Sequence, residues 1–239
     1  MAEQDKAKGS GARGLKTRVK SARGRSTSST RWLQRQLNDP FVAEARRLGY
    51  RSRAAFKLAE IDDKYHLLAP GARVLDLGAA PGGWSQIAAL RIGAAREGGT
   101  RGAAGKVVAI DLLEFEFLPG IEILILDFLA PEAPEKLKAM LGGPADVVLS
   151  DMAPNTTGHK QTDHLRIVAL VEAALDFACE VLAPGGSFVA KVWSGGTEGE
   201  LLAAMKRDFE TVRHFKPKSS RAESAEVYVV ATGFRGTPA

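Results

Sequence analysis

The sequence predicts an α/β fold built on a doubly wound, mostly parallel sheet, and three observations carry that prediction. From residue 70 onward, short apolar runs alternate with longer helical patterns. This is the rhythm of repeated strand–helix units joined by right-handed crossovers. The runs EILILDF and DVVLS lack apolar/polar alternation, as strands do when helices cover both faces of a sheet. The stretch DLGAAPGGWS gathers Gly78, Gly82 and Gly83 around Pro81 between one apolar run and the next. Glycines there open backbone shapes closed to other residues and let a ligand approach the main chain. A chain of 239 residues is long enough to bury such a core and to carry an appendage.

Residues 1–30 are polar, rich in Gly, Ser, Lys and Arg, and almost free of large apolar groups. Such a stretch cannot offset the entropy of folding, so it reads as a disordered basic tail, with the folded domain over 31–239. RWLQRQLNDPFVAEARRLGYRSRAAFKLAEIDDKYHLL reads as two helices. Asn38 or Asp39 ahead of Pro40 marks a helix start, Gly49 a stop, and Ser52 a cap for the second helix. In that helix Ala55, Leu58, Ile61, Tyr65 and Leu68 recur at intervals of three or four, which turns one face to the core. After Pro70-Gly71 come the strand RVLDLG, the helix GGWSQIAALRI, the strands KVVAIDLL and IEILILDF, and the helix APEKLKAML. The strand ADVVLSD, the helix DHLRIVALVEAALDFACEVL, the strand GSFVAKVW and the helix EGELLAAMKRDF follow, and HFKPK with EVYVVATG closes the chain. Residues 91–105, RIGAAREGGTRGAAG, read as a flexible surface insertion.

Composition excludes several classes. No apolar run reaches the roughly 18 residues of a membrane helix, and the N-terminus has no signal-peptide core. Cys179 is the single cysteine, so neither an intrachain disulfide nor a thiol metal cage is expected, and it reads as a small buried residue. His66, His159, His164 and His214 show no zinc-site spacing. A cytoplasmic protein without a metal is the expectation. Charge is unevenly spread: residues 1–57 hold 15 Lys+Arg against 4 Asp+Glu, and the remainder 18 against 24. A basic front end on an acidic body suits a polyanionic partner, and RNA contact is favoured over an inert tail or a transit peptide.

Three ligands compete for the glycine loop. A triphosphate loop needs a lysine where Trp84 stands, and a dinucleotide loop needs a Gly-x-Gly-x-x-Gly pattern that Ala79 and Ala80 break. The third is S-adenosylmethionine, which has no phosphate and needs carboxylates for its ribose and ammonium groups. Carboxylates end the neighbouring strands: Asp76 in RVLD, Asp111 in VVAID, Asp127 in ILILD and Asp151 in VVLSD. Asp111 falls where an acid accepts from ribose hydroxyls in nucleotide folds. One strand-end aspartate usually caps a loop or helix; four on one sheet edge, around a glycine loop, make a site.

Five ordered blocks resemble a family. RWLQRQLNDPFVAEARRLGYRSRAAFKLAEID, DLGAAPGGWSQ, SDMAPN, FVAKVW and SSRAESAEVYVVATGF are together similar to the FtsJ-type RNA 2′-O-methyltransferases, over 31–235. The tail and the 91–105 insertion depart from the pattern. The resemblance implies a Rossmann-like sheet of the S-adenosylmethionine-dependent methyltransferase type. It implies a catalytic set of Lys57, Asp151, Lys191 and Glu226, and contacts to S-adenosyl-L-methionine from Gly82, Trp84, Asp111, Asp127 and Asp151. It also implies a substrate, a uridine ribose 2′-hydroxyl in the A-loop of large-subunit ribosomal RNA, methylated by a monomer. A relative acting on transfer RNA or mitochondrial ribosomal RNA, and a ribosome assembly factor without turnover, are the rival readings.

The residue types suit that chemistry unevenly. A ribose hydroxyl is a poor acid, and a lysine can take its proton only as a free amine. In SFVAKVW, Phe188, Ala190 and Val192 share one strand face, while Val189, Lys191 and Trp193 share the other. Lys191 is thus the candidate base, with a strand-end lysine reaching for water as the alternative. Asp151 would orient it, and Met152-Ala153 stands where an amino-group methylase would carry a proline-rich stretch. Glu226 would hold the charge of a second lysine, or else simply begin a strand. Lys57 has Glu60 three residues on, so an exposed ion pair is its ordinary reading, and only the resemblance makes it catalytic. Trp84 suits a cofactor wall or helix–sheet packing, and Tyr50 suits base stacking or the core. Arg31, Arg35, Arg46, Arg47, Arg51 and Arg53 are the candidate RNA-docking cations.

Overall fold

The computed structural model describes residues 27–94, 104–154, 157–193 and 199–236. Its elements are α1 (Thr27–Leu37), α2 (Pro40–Arg47), α3 (Ala54–Tyr65), β1 (Arg73–Leu77), α4 (Gly83–Ile92), β2 (Lys106–Asp111) and β3 (Ile121–Ile125). They continue with α5 (Ala133–Leu141), β4 (Ala145–Ser150), α6 (Lys160–Val181), β5 (Leu182–Trp193), α7 (Gly199–Asp208), β6 (Phe209–Phe215) and β7 (Glu226–Phe234). The seven strands form one sheet in the order β3-β2-β1-β4-β5-β7-β6. The first five are parallel. β7 enters between β5 and β6 and runs antiparallel to both. The order reverses between β1 and β4, the switch point at which open α/β sheets collect ligands.

Alternation along the strands divides the core into two layers. Leu75, Leu77, Val108, Phe188 and Ala190 face α5, α6 and α7. Val74, Val107, Leu149, Val189 and Val230 face α3 and α4. On that second side Leu58 and Ile61 of α3 and Ile87 of α4 are buried, as the periodicity of α3 predicted. Each contributes about 1.5–3 kcal/mol by leaving water. Asp39 caps α2 through the Phe41 N–H, with Pro40 in the first turn, and His66 in a left-handed conformation closes α3.

The structure corrects several expectations. The stretch read as two helices holds three, and α1 begins at Thr27, inside the stretch assigned to the tail. Residues 1–26, the rest of that assignment, lie outside the described residues, as do 95–103 of the expected insertion; its first residues, Arg91 and Ile92, complete α4. Ser52 is not a side-chain cap; its hydroxyl is buried without a hydrogen-bond partner, and Ala55 N–H bonds its carbonyl instead. EILILDF is not covered on both faces: β3 is an edge strand with Glu122 and Ile125 exposed. Apolar runs report β-branched fit as much as burial. Cys179 is half-buried, and burial pushes its thiol up to about 11. No described helix is long and apolar enough to cross a membrane, and the described residues contain no His/Cys/Asp/Glu cluster able to hold a metal ion.

Candidate active site

The glycine loop is pinned to β2. Gly78 and Ala79 N–H groups both donate to the Ile110 carbonyl at 2.9 and 3.1 Å, and Ala80 N–H donates to Asp111 Oδ2 at 2.8 Å. Gly78 has φ +76°, and a Cβ there would fall 2.6 Å from Met152 Cγ. Only glycine lets this turn approach the segment after β4 so closely. Between the two lies a cavity of about 440 Å³, lined by Gly78, Asp111, Asp127, Phe128, Asp151 and Pro154 among others. That is within the about 300–1,000 Å³ of small-molecule sites, which pair an apolar lining with a few fixed polar groups.

Three of the four strand-end acids, Asp111, Asp127 and Asp151, line this cavity, whereas Asp76 is buried outside its wall. Asp111 accepts Ala80 N–H and Leu113 N–H (2.8 Å), one on each oxygen, and Asp127 Oδ1 accepts Leu129 N–H at 2.9 Å. Each carboxylate offers about four lone-pair sites, so both retain capacity for hydroxyl or amino donors. Two other residues expected at the cofactor are not in the cavity wall. Trp84 is 2 % exposed. Its indole N–H donates to the Ala54 carbonyl at 2.9 Å, and its ring lies 5.4 Å from that of Tyr228. It packs α4 against α3 and the sheet. Gly82 caps α4 with φ +99° beneath Leu118 and Phe115, where a Cβ would collide with Leu118.

Beside the cavity, Lys57, Asp151, Lys191 and Glu226 come together. Lys191 Nζ lies 3.0 Å from Asp151 Oδ1 and donates to the Asp151 carbonyl at 2.5 Å. Lys57 Nζ lies 2.6 Å from Glu226 Oε1. A residue that sequence reasoning missed joins the pairs: the Tyr228 hydroxyl accepts from Lys57 Nζ at 3.2 Å and donates to Asp151 Oδ1 at 2.9 Å. Glu226 and Tyr228 sit two apart at the start of β7, so they share a strand face; that spacing was a legible signal. The expected Lys57–Glu60 pair does not form: Glu60 instead accepts the Lys218 and Ser219 N–H groups at 2.5 and 2.9 Å. This holds the β6–β7 turn against α3. From that turn the Ser220 hydroxyl donates to Glu226 at 3.1 Å.

The electrostatics follow from these neighbours. Burial pushes the Asp151 carboxyl up, but the Lys191 and Lys57 cations and hydrogen bonds from Lys191 and Tyr228 outweigh it and hold Asp151 below its ordinary value. Burial and the nearby Asp151 and Glu226 charges push the Tyr228 phenol well above its ordinary range, so it remains a neutral donor.

A second hollow, about 270 Å³, opens on the far side of Lys57 and Glu226 and is lined by Arg35, Arg53 and Arg221. The candidate RNA-docking arginines divide here. Arg53 is committed to Asp39 and the Ser219 carbonyl, Arg51 to Glu116, and Arg47 to Glu44 at 2.5 Å. Arg35 and Arg46 are exposed. Tyr50 packs edge-on against Phe56 at 5.4 Å, half-buried.

The arrangement suits alignment of a cavity-bound group with a substrate at the lysines. Ribosomal RNA large subunit methyltransferase E of Azorhizobium caulinodans is 66% identical over 226 residues, covering 95% of this chain and 92% of that protein. The protein of the same name from Xanthobacter autotrophicus is 65% identical over 229 residues, covering 96% and 88%. Among solved structures, a ribosomal RNA methyltransferase from Plasmodium falciparum matches with a TM-score of 0.65 and 30% identity, over 79% of this chain and all of that one. The fibrillarin/Nop5p complex shares the fold alone, at a TM-score of 0.51 and 20% identity over 77% of this chain and 85% of that one. Residues 50–234 match the model of the FtsJ-like methyltransferases. With the glycine loop, both lysine–carboxylate pairs and the reversed seventh strand all inside that match, the chain belongs to the FtsJ-like methyltransferase family.

Proposed function

We propose that this protein transfers a methyl group from S-adenosyl-L-methionine to a ribose 2′-hydroxyl of large-subunit ribosomal RNA, a uridine of the A-loop. The observation that carries the reading is the unbroken run Glu226–Lys57–Tyr228–Asp151–Lys191 at the mouth of an acid-lined cavity. S-adenosylmethionine supplies, when bound, a methyl group already activated by a sulfonium. Asp111 and Asp127 would hold its polar groups, and Asp151 stands at the junction of cavity and lysines. Gly82 and Trp84 would support the loop from behind. Lys191, held by Asp151, first gives up its own ammonium proton to solvent and then, as the free amine, receives the proton leaving the 2′-hydroxyl, and Lys57, fixed by Glu226, places a positive charge beside the oxygen. Such proton transfer contributes about 10²–10⁴-fold, and alignment of the reacting atoms supplies much of the rest.

Similarity to relatives named for large-subunit ribosomal RNA over nearly their whole length supports that substrate over transfer RNA. The reading carries with it a cytoplasmic location, action as a monomer, and a catalytic domain over 31–239 preceded by an RNA-binding tail. The test is to map 2′-O-methyl marks on ribosomal RNA from cells with and without the gene, then restore the missing mark with purified protein, S-adenosylmethionine and large subunits. Loss and restoration of one A-loop uridine mark is expected. An unchanged ribosomal map with a lost transfer RNA mark would overturn the substrate.

A further inference from the structure

Asp76 is a buried acid that the catalytic reading leaves unused. It lies near the end of β1, paired in register with Ala109 of β2 and Leu149 of β4. Its strand neighbours Leu75 and Leu77 face α5 and α6, so Asp76 faces α3 and α4, the side on which Leu149, Val189, Tyr228 and Val230 lie. Register places it in the row Asp76–Leu149–Val189–Val230. That row is two residues, about 6.6 Å, inside the one formed by Gly78, Asp151, Lys191 and Tyr228. The side chain is fully buried. Oδ2 accepts the Ser85 hydroxyl at 2.5 Å, and Oδ1 has no hydrogen-bond partner.

The charges around it are specific. Asp111 from β2 and Asp151 from the segment after β4 repel its ionised form. Lys191 of β5 lies in that outer row and Lys57 of α3 reaches its Tyr228 hydroxyl, but each is already matched, by Asp151 and Glu226. α4 offers only neutral donors, the hydroxyl and backbone N–H of Ser85. Burial, opposed by Ser85 and reinforced by the two acids, raises the Asp76 carboxyl to about 7. Asp111 and Asp151 line the cavity, so a positive charge entering it lies within the field of all three acids.

We propose that Asp76 is a specificity-determining residue for the methyl donor: it holds a proton in the free protein and releases it to solvent when a cationic ligand enters the cavity. The protein thereby binds a sulfonium in preference to the neutral thioether left after transfer. The ammonium and carboxylate of the methionine portion are common to donor and product and cancel in the comparison. Only the sulfur's charge differs, and a buried carboxylate one row behind feels it with little screening. The inference rests on the cavity being the S-adenosylmethionine site.

Calorimetric titration of the full chain with S-adenosylmethionine and with S-adenosylhomocysteine, in buffers of differing ionisation enthalpy near pH 7, tests it. Roughly half a proton is released with the donor and almost none with the product. The donor is bound about tenfold more tightly than the product, and Asp76→Asn narrows this to about twofold and abolishes the release. Ser85→Ala, which removes the hydrogen bond that favours the carboxylate, guards against a misfolded Asp76 variant. It moves the midpoint of proton release to higher pH. Equal proton counts for the two ligands, or release and preference surviving in Asp76→Asn, would overturn the proposal. Binding of neither ligand by the parent protein would overturn the assignment of the cavity itself, and this inference with it.

Discussion

Replacing Tyr228 with phenylalanine separates the chemistry of the site from its packing. The ring stays where it is, fully buried and 5.4 Å from Trp84. One oxygen goes, with its bonds to Lys57 at 3.2 Å and Asp151 at 2.9 Å. A hydrogen bond to a charged group is worth about 1.5–3 kcal/mol. Neither charged partner is orphaned, because Lys57 keeps Glu226 at 2.6 Å and Asp151 keeps Lys191 at 3.0 Å. The net destabilisation is therefore about 1.5–3 kcal/mol.

The deficit depends on pH with a definite sign. Asp151 is held below its ordinary value, so its contribution to stability is complete above the unfolded carboxylate range and is lost as pH falls through the folded value. Without the phenol the folded value rises, so the variant's deficit is full near neutral pH and shrinks in acid. Lys57 loses one of its two fixed points, and kcat falls about tenfold, the cost of about 1.4 kcal/mol in alignment. Urea unfolding across pH and single-turnover methyl transfer measure the two effects. A deficit that stays constant into acid would show that packing, not the Asp151 bond, was removed. An unchanged kcat would exclude Tyr228 from the positioning of Lys57.

Lys191→Ala lowers methyl transfer by about a thousandfold and leaves S-adenosylmethionine affinity within about twofold; near-normal turnover would refute its part as proton acceptor. Lys57→Met alone costs about 3–5 kcal/mol of stability by stranding the mostly buried Glu226, whereas Lys57→Met with Glu226→Leu costs little or is stabilising; both lose activity, as unfolding and transfer assays would show. Deleting residues 1–26 removes eight Lys and Arg residues and flattens the salt dependence of RNA binding by about 0.7–0.9 for every phosphate the tail no longer neutralises; an unchanged slope would make the tail a bystander.

The strands, the glycine loop and the three cavity acids were legible because each leaves a local mark: an apolar run, an outlawed Cβ, an aspartate where a run stops. α1 left less. TSSTRWLQRQL has no N-terminal acid and a polar majority, so its composition reads as loop and only packing against α2 makes it worth folding. Trp84 was ambiguous because an indole suits a ligand wall and a core equally; the Ala54 carbonyl, thirty positions away, decided for the core. Glu60 misled in the opposite way. Spacing of three on a helix favoured Lys57 as its partner, but two backbone N–H groups from residues 218 and 219 satisfy it better. Interactions that span more than a hundred residues have no local signature.

Stability does not account for the chain of charges itself. Pairs as buried as Lys57–Glu226 and Lys191–Asp151 are no better than apolar residues of the same size at holding a core together. What they achieve depends on the one reversed strand. Parallel strands bring only their carboxyl ends to the ligand edge of the sheet, and β5 so delivers Lys191. β7 runs the other way and brings its first residues to that same edge, Tyr228 opposite Lys191 and Glu226 opposite Trp193. A parallel β7 would have presented Thr232 to Phe234 there, and neither the bridge to Asp151 nor the anchor for Lys57 would exist. The antiparallel insertion thus supplies, from one short stretch, the carboxylate and the hydroxyl that fix Lys57 and tie it to the Asp151–Lys191 pair in a largely apolar setting.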